Sequence, residues 1–333
     1  MSPTPKQELT PDIADHLNLN LTDDPYWTDS SWFSWAIPEQ NINGFFYNHF
    51  RPNMNCMLGG PAMWDTSAKN LTGQNVWNFL FFDWQQMRVL PEGRYGIDYD
   101  KYDFVTPWSM SIRTLKPMQQ FRLGYDREGF KLDLLFTASC EPNVIGSVTK
   151  EDKAFKLHFE QPGRIEGTVE LDGQMYEVNC FSIRDGSNGP RFLEKVVPGG
   201  YSWSSADANN GWHLLAKDWD NSRDTKVVGG YIFRDGVIAP VTGGVRRVLE
   251  RAGPRPDKVE VILHDNLGRE LHAVGQATVP AEFMLFPDRG QWWSQFAWRY
   301  DGFTDAVGED QEYYGIQDFR RWHRADPSRW LER

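Results

Sequence analysis

A chain of 333 residues is too long for one ordinary hydrophobic core and suits two domains or one large one. Its 46 acidic against 35 basic residues leave a net charge of -11, which repels phosphate backbones; with no Lys/Arg stripe to overrule that charge, nucleic acid is excluded as a partner. Aromatic residues reach 14%, with 15 Trp, a composition that favours pleated sheets and offers rigid apolar surface to a ligand.

In chain order, residues 1–24 read as a loose polar arm, with no apolar or Arg-rich leader pattern. Short alternating segments follow. In Lys131–Phe136, Leu132, Leu134 and Phe136 fall on one face, the two-residue period of a strand. Phe155, Leu157 and Phe159 repeat the pattern and leave Lys156, His158 and Glu160 on the other face. Ile165–Leu171 runs into Asp172-Gly173 and returns through Tyr176–Cys180; Asp-Gly takes the positive φ angles of a type I′ hairpin turn. Asp235-Gly236 and Asp301-Gly302 mark two more candidate hairpins, and Lys258–Leu263 alternates before a turn at Asp265–Gly268. Helical periodicity is scarce. The tail near Gln317–Trp322 is the best helical candidate, and Trp77–Met87 reads equally as helix or strand. These signals predict an all-β protein of sandwich or barrel domains, with a polar arm over 1–24, one β domain over 25–190 and a second over 191–333. Glycine and proline around Pro190–Gly200 mark the boundary, and Arg251–Pro256 reads as a strand connection within the second domain.

Cys56, Cys140 and Cys180 form neither a disulfide framework nor a zinc spacing. The chain has no dinucleotide or P-loop glycine pattern, no His-Glu-x-x-His and no Gly-x-Ser-x-Gly, and its seven His are not paired at ligand spacing. The expectation is a soluble, cytoplasmic protein without a membrane span, without metal and without cofactor. Any chemistry would then be proton transfer by carboxylates, His or Tyr in a dry site.

Three stretches carry a resemblance. They are Asp29–Phe33 with Gly44–Phe46 and Arg51-Pro52-Asn53; His158–Arg164 with Ile183–Arg191; and Gly308–Tyr313. In that order and spacing the chain resembles the hydroxyneurosporene synthase (carotenoid 1,2-hydratase)-like proteins over roughly residues 25–320. The resemblance implies two packed lipocalin-like β domains. It also implies cofactor-independent hydration, cyclisation or isomerisation of terpenoid-like or polycyclic substrates. Those relatives carry Arg-Asp-His-Ser-Trp-Gly where this chain reads Arg184-Asp185-Gly186-Ser187-Asn188-Gly189, so a His and a Trp are replaced.

Asp185 either caps backbone amides before a Gly-rich turn or serves as the acid, with Arg184 orienting it in a bidentate pair or forming a structural ion pair. His158 and Glu160 lie on a solvated face if their sheet is open, and on the base side of a site if that face is enclosed. Glu309, in the acidic run beside Tyr313, is a solvated loop residue or a reserve general acid. Asp83 sits within an aromatic run and faces outward or into the site. Trp64, Trp84, Trp108, Trp203, Trp298 and Tyr313 are core residues or walls for an apolar substrate, whose developing cation aromatic faces would shield. The favoured function is a cofactor-independent lyase or isomerase acting on a hydrophobic terpenoid, steroid or polycyclic molecule. The alternatives are a non-catalytic carrier of hydrophobic ligands and a carbohydrate-active β protein.

Overall fold

The computed structural model describes residues 24–66, 79–88, 103–145, 157–191, 198–217, 224–253, 255–286, 289–317, 320 and 324. Among the described residues, twenty-one strands form two sheets. The first sheet holds β1 (Trp27–Ile37), β2 (Ile42–Arg51), β3 (Cys56–Trp64), β4 (Phe79–Phe82), β5 (Gln85–Arg88), β6 (Phe104–Val105), β7 (Ser111–Lys116), β8 (Gln120–Arg127), β9 (Phe130–Ala138), β10 (Asn143–Val144), β11 (Leu157–Leu171) and β12 (Gln174–Pro190). The second holds β13 (Gly199–Asp207), β14 (Asn210–Lys217), β15 (Asp224–Arg234), β16 (Val237–Ala252), β17 (Arg255–Asp265), β18 (Glu270–Val279), β19 (Glu282–Phe286), β20 (Arg289–Tyr300) and β21 (Phe303–Gly315).

Local chemistry explains the hairpins. Asp172-Gly173, Asp235-Gly236 and Asp301-Gly302 all adopt positive φ at both positions, so each joins its strands by the expected tight turn; Glu128-Gly129 does the same between β8 and β9. Between Pro190 and Gly199 the chain passes from the first sheet to the second. The arm over residues 1–23 and most of the tail after Gln317 lie outside the described residues, although residues 316 and 317 are helical. The described part of the Trp77–Met87 span is strand, in β4 and β5, apart from Asp83 and Trp84 between them.

The second sheet is a closed barrel. Its strands pair in the order β18-β17-β16-β15-β14-β13-β21-β20, and β18 also pairs with β20, which completes the ring and removes the edges. Its lumen is packed. Trp212, Trp298, Phe296 and Tyr300 fill one part, with Trp212 and Trp298 edge to face at 4.7 Å. Farther along β21 lies a buried ionic cluster: Arg246 clasps Asp310 through Nε at 2.8 Å and Nη2 at 2.6 Å, and Arg251 binds Glu312 at 3.0 Å.

The first sheet runs β4-β3-β2-β1-β12-β11-β9-β8-β7-β6 and uses both faces. Phe33 and Trp35 pack on one side with Phe121, Leu123 and Phe136. On the other side Trp32, Phe45, Tyr47, Trp64 and Ile183 meet Tyr201, Trp203, Tyr231 and Trp293 of the barrel wall. Phe45 stacks on Trp293 at 4.9 Å, and Trp32 lies 5.4 Å from Trp293 and 5.8 Å from Tyr201. This aromatic seam between the two sheets is where the candidate site lies.

Candidate active site at the seam between the sheets

The long hairpin of β11 and β12 places the polar residues. Glu160 pairs directly with Asp185 and His158 with Ser187, and opposed residues of antiparallel strands share a face. His158, Glu160 and Asp185 therefore converge. His158 Nε2 lies 2.7 Å from Glu160 Oε1 and 3.7 Å from Asp185 Oδ2. Barrel strands complete the cluster from above: Tyr201 donates to Glu160 Oε2 at 2.7 Å, and His213 Nε2 stands 3.6 Å from Glu160 Oε1. Glu160 and His213 are fully buried and His158 nearly so, whereas the Asp185 side chain keeps 15% exposure. Asp185 is thus the member nearest solvent, and its Oδ1 has no hydrogen-bond partner among the described residues.

Burial and charge set the protonation states. Burial pulls the His158 imidazole down, but Asp185 and Glu160 outweigh it and raise its pKa. Burial pushes Glu160 up, against the lowering pull of His158. His213 is driven well down by burial and by the charge of His158, so it is neutral. Burial and the Glu160 charge keep the Tyr201 hydroxyl protonated as a donor. The result is a proton-holding group of one imidazole and two carboxylates next to two neutral polar rings. His158, Glu160 and Asp185 each offer a ligand atom, all within 4.8 Å of one another, so the set could also hold a divalent cation.

Arg184 does not orient Asp185. Consecutive strand residues point to opposite faces, and Arg184 lies behind the sheet, donating to Gln161 Oε1 at 2.6 Å with its guanidinium over Phe121 at 4.2 Å and Phe159 at 5.0 Å. Glu309 is at the seam but saturated. Ser34 and Asn43 of the first sheet donate to one oxygen at 2.7 and 2.9 Å, and Trp293, Gln311 and Trp203 donate to the other at 2.6, 2.9 and 3.3 Å. It fastens the two sheets instead of serving as a reserve acid. Asp83 is elsewhere, held by the Tyr125 hydroxyl, by Gln85 at 2.9 Å and by Arg127 at 3.6 Å.

Among the expected aromatic walls, Trp64 and Trp203 belong to the seam, and Trp84 flanks it beside Tyr47 at 6.0 Å. Trp298 faces the barrel lumen, away from His158, because alternation along β20 turns it inward. Trp108 sits at an exposed turn, and Tyr313 packs against Lys217 at 5.3 Å. Tyr201, His213 and Tyr231 were not anticipated. Only the packing of the barrel on the first sheet brings them to Glu160.

An all-β architecture with a closed barrel packed on a second large sheet defines a two-domain, lipocalin-like protein. The chain belongs to the family described as Domain of unknown function (DUF7064), whose model matches residues 12–305. No functionally curated protein matches it. Among solved structures it is similar to a protein provisionally designated AttH from Nitrosomonas europaea, at 13% identity and a TM-score of 0.58 over 93% of this chain and 98% of that one. It is also similar to CghA in complex with Sch210972, at 9% identity and a TM-score of 0.57 over 88% and 89% of the two chains. No described helix is long and apolar enough to cross a membrane.

Proposed function

We propose that the protein is a cofactor-independent lyase or isomerase that moves protons on a hydrophobic small molecule at the sheet seam. The observation that carries this reading is the buried contact of His158 with Glu160 and Asp185. Like charges and desolvation make such a cluster hold a proton near neutrality, which is what a general acid needs. Asp185 hands the proton over, because it keeps the most exposure of the three. An alkene carbon would take the proton with its π pair, leaving a cation beside Trp32 and Trp293. Adding water and returning its proton to the cluster gives hydration; losing a neighbouring C–H proton to the cluster gives isomerisation.

The 2.7 Å separation of His158 Nε2 and Glu160 Oε1 favours a shared proton over a shared metal ion. Two ligands bonded at about 2.1 Å to one tetrahedral ion stand roughly 3.4 Å apart. Burial of the seam Trp residues argues against a carbohydrate platform, which needs exposed aromatic faces.

The test is incubation of the protein in heavy water with a panel of terpenoids, steroids and polycyclic compounds, read by mass spectrometry. The expected result is deuterium or water incorporation that Asp185→Asn abolishes while ligand binding persists. Ligands that bind the wild type without any exchange would make it a carrier.

A further inference from the structure

The seam holds more polar chemistry than proton transfer requires. His213 on β14 and Tyr231 on β15 are opposed in register, with ring centroids 5.8 Å apart, and both are fully buried. Neither His213 nitrogen and not the Tyr231 hydroxyl has a hydrogen-bond partner among the described residues. A buried, unsatisfied polar group costs about 1–3 kcal/mol, so the Tyr231 O–H and the one N–H of His213 call for an acceptor that satisfies them. Burial and the His158 charge keep His213 neutral, and burial keeps Tyr231 a phenol, so each presents a neutral donor. His213 also stands 3.6 Å from Glu160, which puts this pair directly beside the proton-holding cluster.

We propose that His213 and Tyr231 bind a carbonyl oxygen of the substrate, so that the substrate is an apolar ketone whose reacting carbon lies within reach of the Glu160–His158–Asp185 cluster. This rests on the proton-transfer reading and narrows its isomerisation branch to enolisable or conjugated ketones, with an enolate in place of the cation. The cluster takes a proton from the carbon next to the carbonyl. The C–H electron pair becomes the C=C of an enolate, and the carbonyl π pair moves to oxygen. The Tyr231 O–H and the His213 N–H donate to that oxygen, and neutral donors in a dry site stabilise developing charge strongly. The proton then returns to the same or the conjugated carbon, and no oxidant or reductant is consumed.

The test uses Trp fluorescence titration of the whole chain with a steroid ketone and with its deoxygenated hydrocarbon skeleton. Wild type is expected to bind the ketone at least tenfold tighter, and Tyr231→Phe and His213→Gln each to erase most of that preference. Asp185→Asn is expected to keep the preference and lose exchange, so failure here and failure of the proton-transfer reading are separate results. Tyr231→Phe without ligand is expected to melt no lower than wild type, since it deletes only an unsatisfied hydroxyl. Equal affinity for ketone and hydrocarbon in wild type, an undiminished preference in Tyr231→Phe, or a clear drop in its melting temperature would each overturn the proposal.

Discussion

Glu160 and Asp185 stand directly opposite one another on β11 and β12, and His158 Nε2 reaches both carboxylates, at 2.7 and 3.7 Å. Two acids on adjacent strands of a buried seam would repel if both were ionised without a partner. The imidazole between them resolves the conflict by retaining a proton. Everything proposed for the chemistry follows from that arrangement.

Stability should therefore fall as pH rises from about 5 to 9. Folding raises the His158 pKa from 6.5 to about 9, so its stabilisation is complete below the unfolded value and lost as pH climbs through the folded one. Glu160 rises from 4.5 to about 7, so the native state again binds more protons than the unfolded chain, and the sign is the same. The unfolding free energy from urea titrations across this range is expected to drop by on the order of several kcal/mol, and His158→Gln should flatten the slope.

Arg184→Met is expected to cost about 2–3 kcal/mol of stability by removing a buried hydrogen bond and two ring contacts. The pH profile of deuterium exchange should stay where it was, because Arg184 sits behind the sheet. A displaced profile would restore it to a positioning role.

Glu309 joins the sheets through five donors, so its replacement separates structure from chemistry. Glu309→Ala strands those donors and should cost more than about 3 kcal/mol, whereas Glu309→Gln keeps one acceptor oxygen and should cost less. Denaturation of the two variants checks the order. Equal stability of both with wild type would mean that the contact network contributes nothing.

Gly186 packs tightly against the Phe159 ring. A Cβ there would lie 2.3 Å from the Phe159 ring, and position 186 faces away from Asp185 in any case. Gly186→His should destabilise by about 2 kcal/mol or more, and adding Phe159→Ala should recover part of the loss if the clash is the cause. Thermal melts of the single and double variants measure this.

Much of the first sheet's geometry is legible in the sequence. Once Asp172-Gly173 is read as a type I′ turn, counting eleven pairs outward from Leu171 and Gln174 sets Glu160 against Asp185. The same alternation that put His158 and Glu160 on one face also assigns Arg184 to the opposite one, and pairing it with Asp185 neglected that rule. Trp298 takes the core alternative, since parity along β20 sends it into the lumen. His213, Tyr201 and Tyr231 could not be found this way. They belong to other strands, and no local pattern records which face of a barrel will press against a neighbouring sheet. Glu309 looked like part of a solvated acidic run. Alternation along β21 sends Asp310 and Glu312 into the lumen with Arg246 and Arg251, and Glu309 into the seam.

The most direct test of the central claim needs no substrate. Nitrogen-15 NMR of the imidazoles, assigned with His158→Gln and His213→Gln, should show His158 still protonated above pH 8 and His213 still neutral where a free imidazole is protonated. Both rings titrating together near pH 6.5, as in free solvent, would contradict a buried proton shared among His158, Glu160 and Asp185.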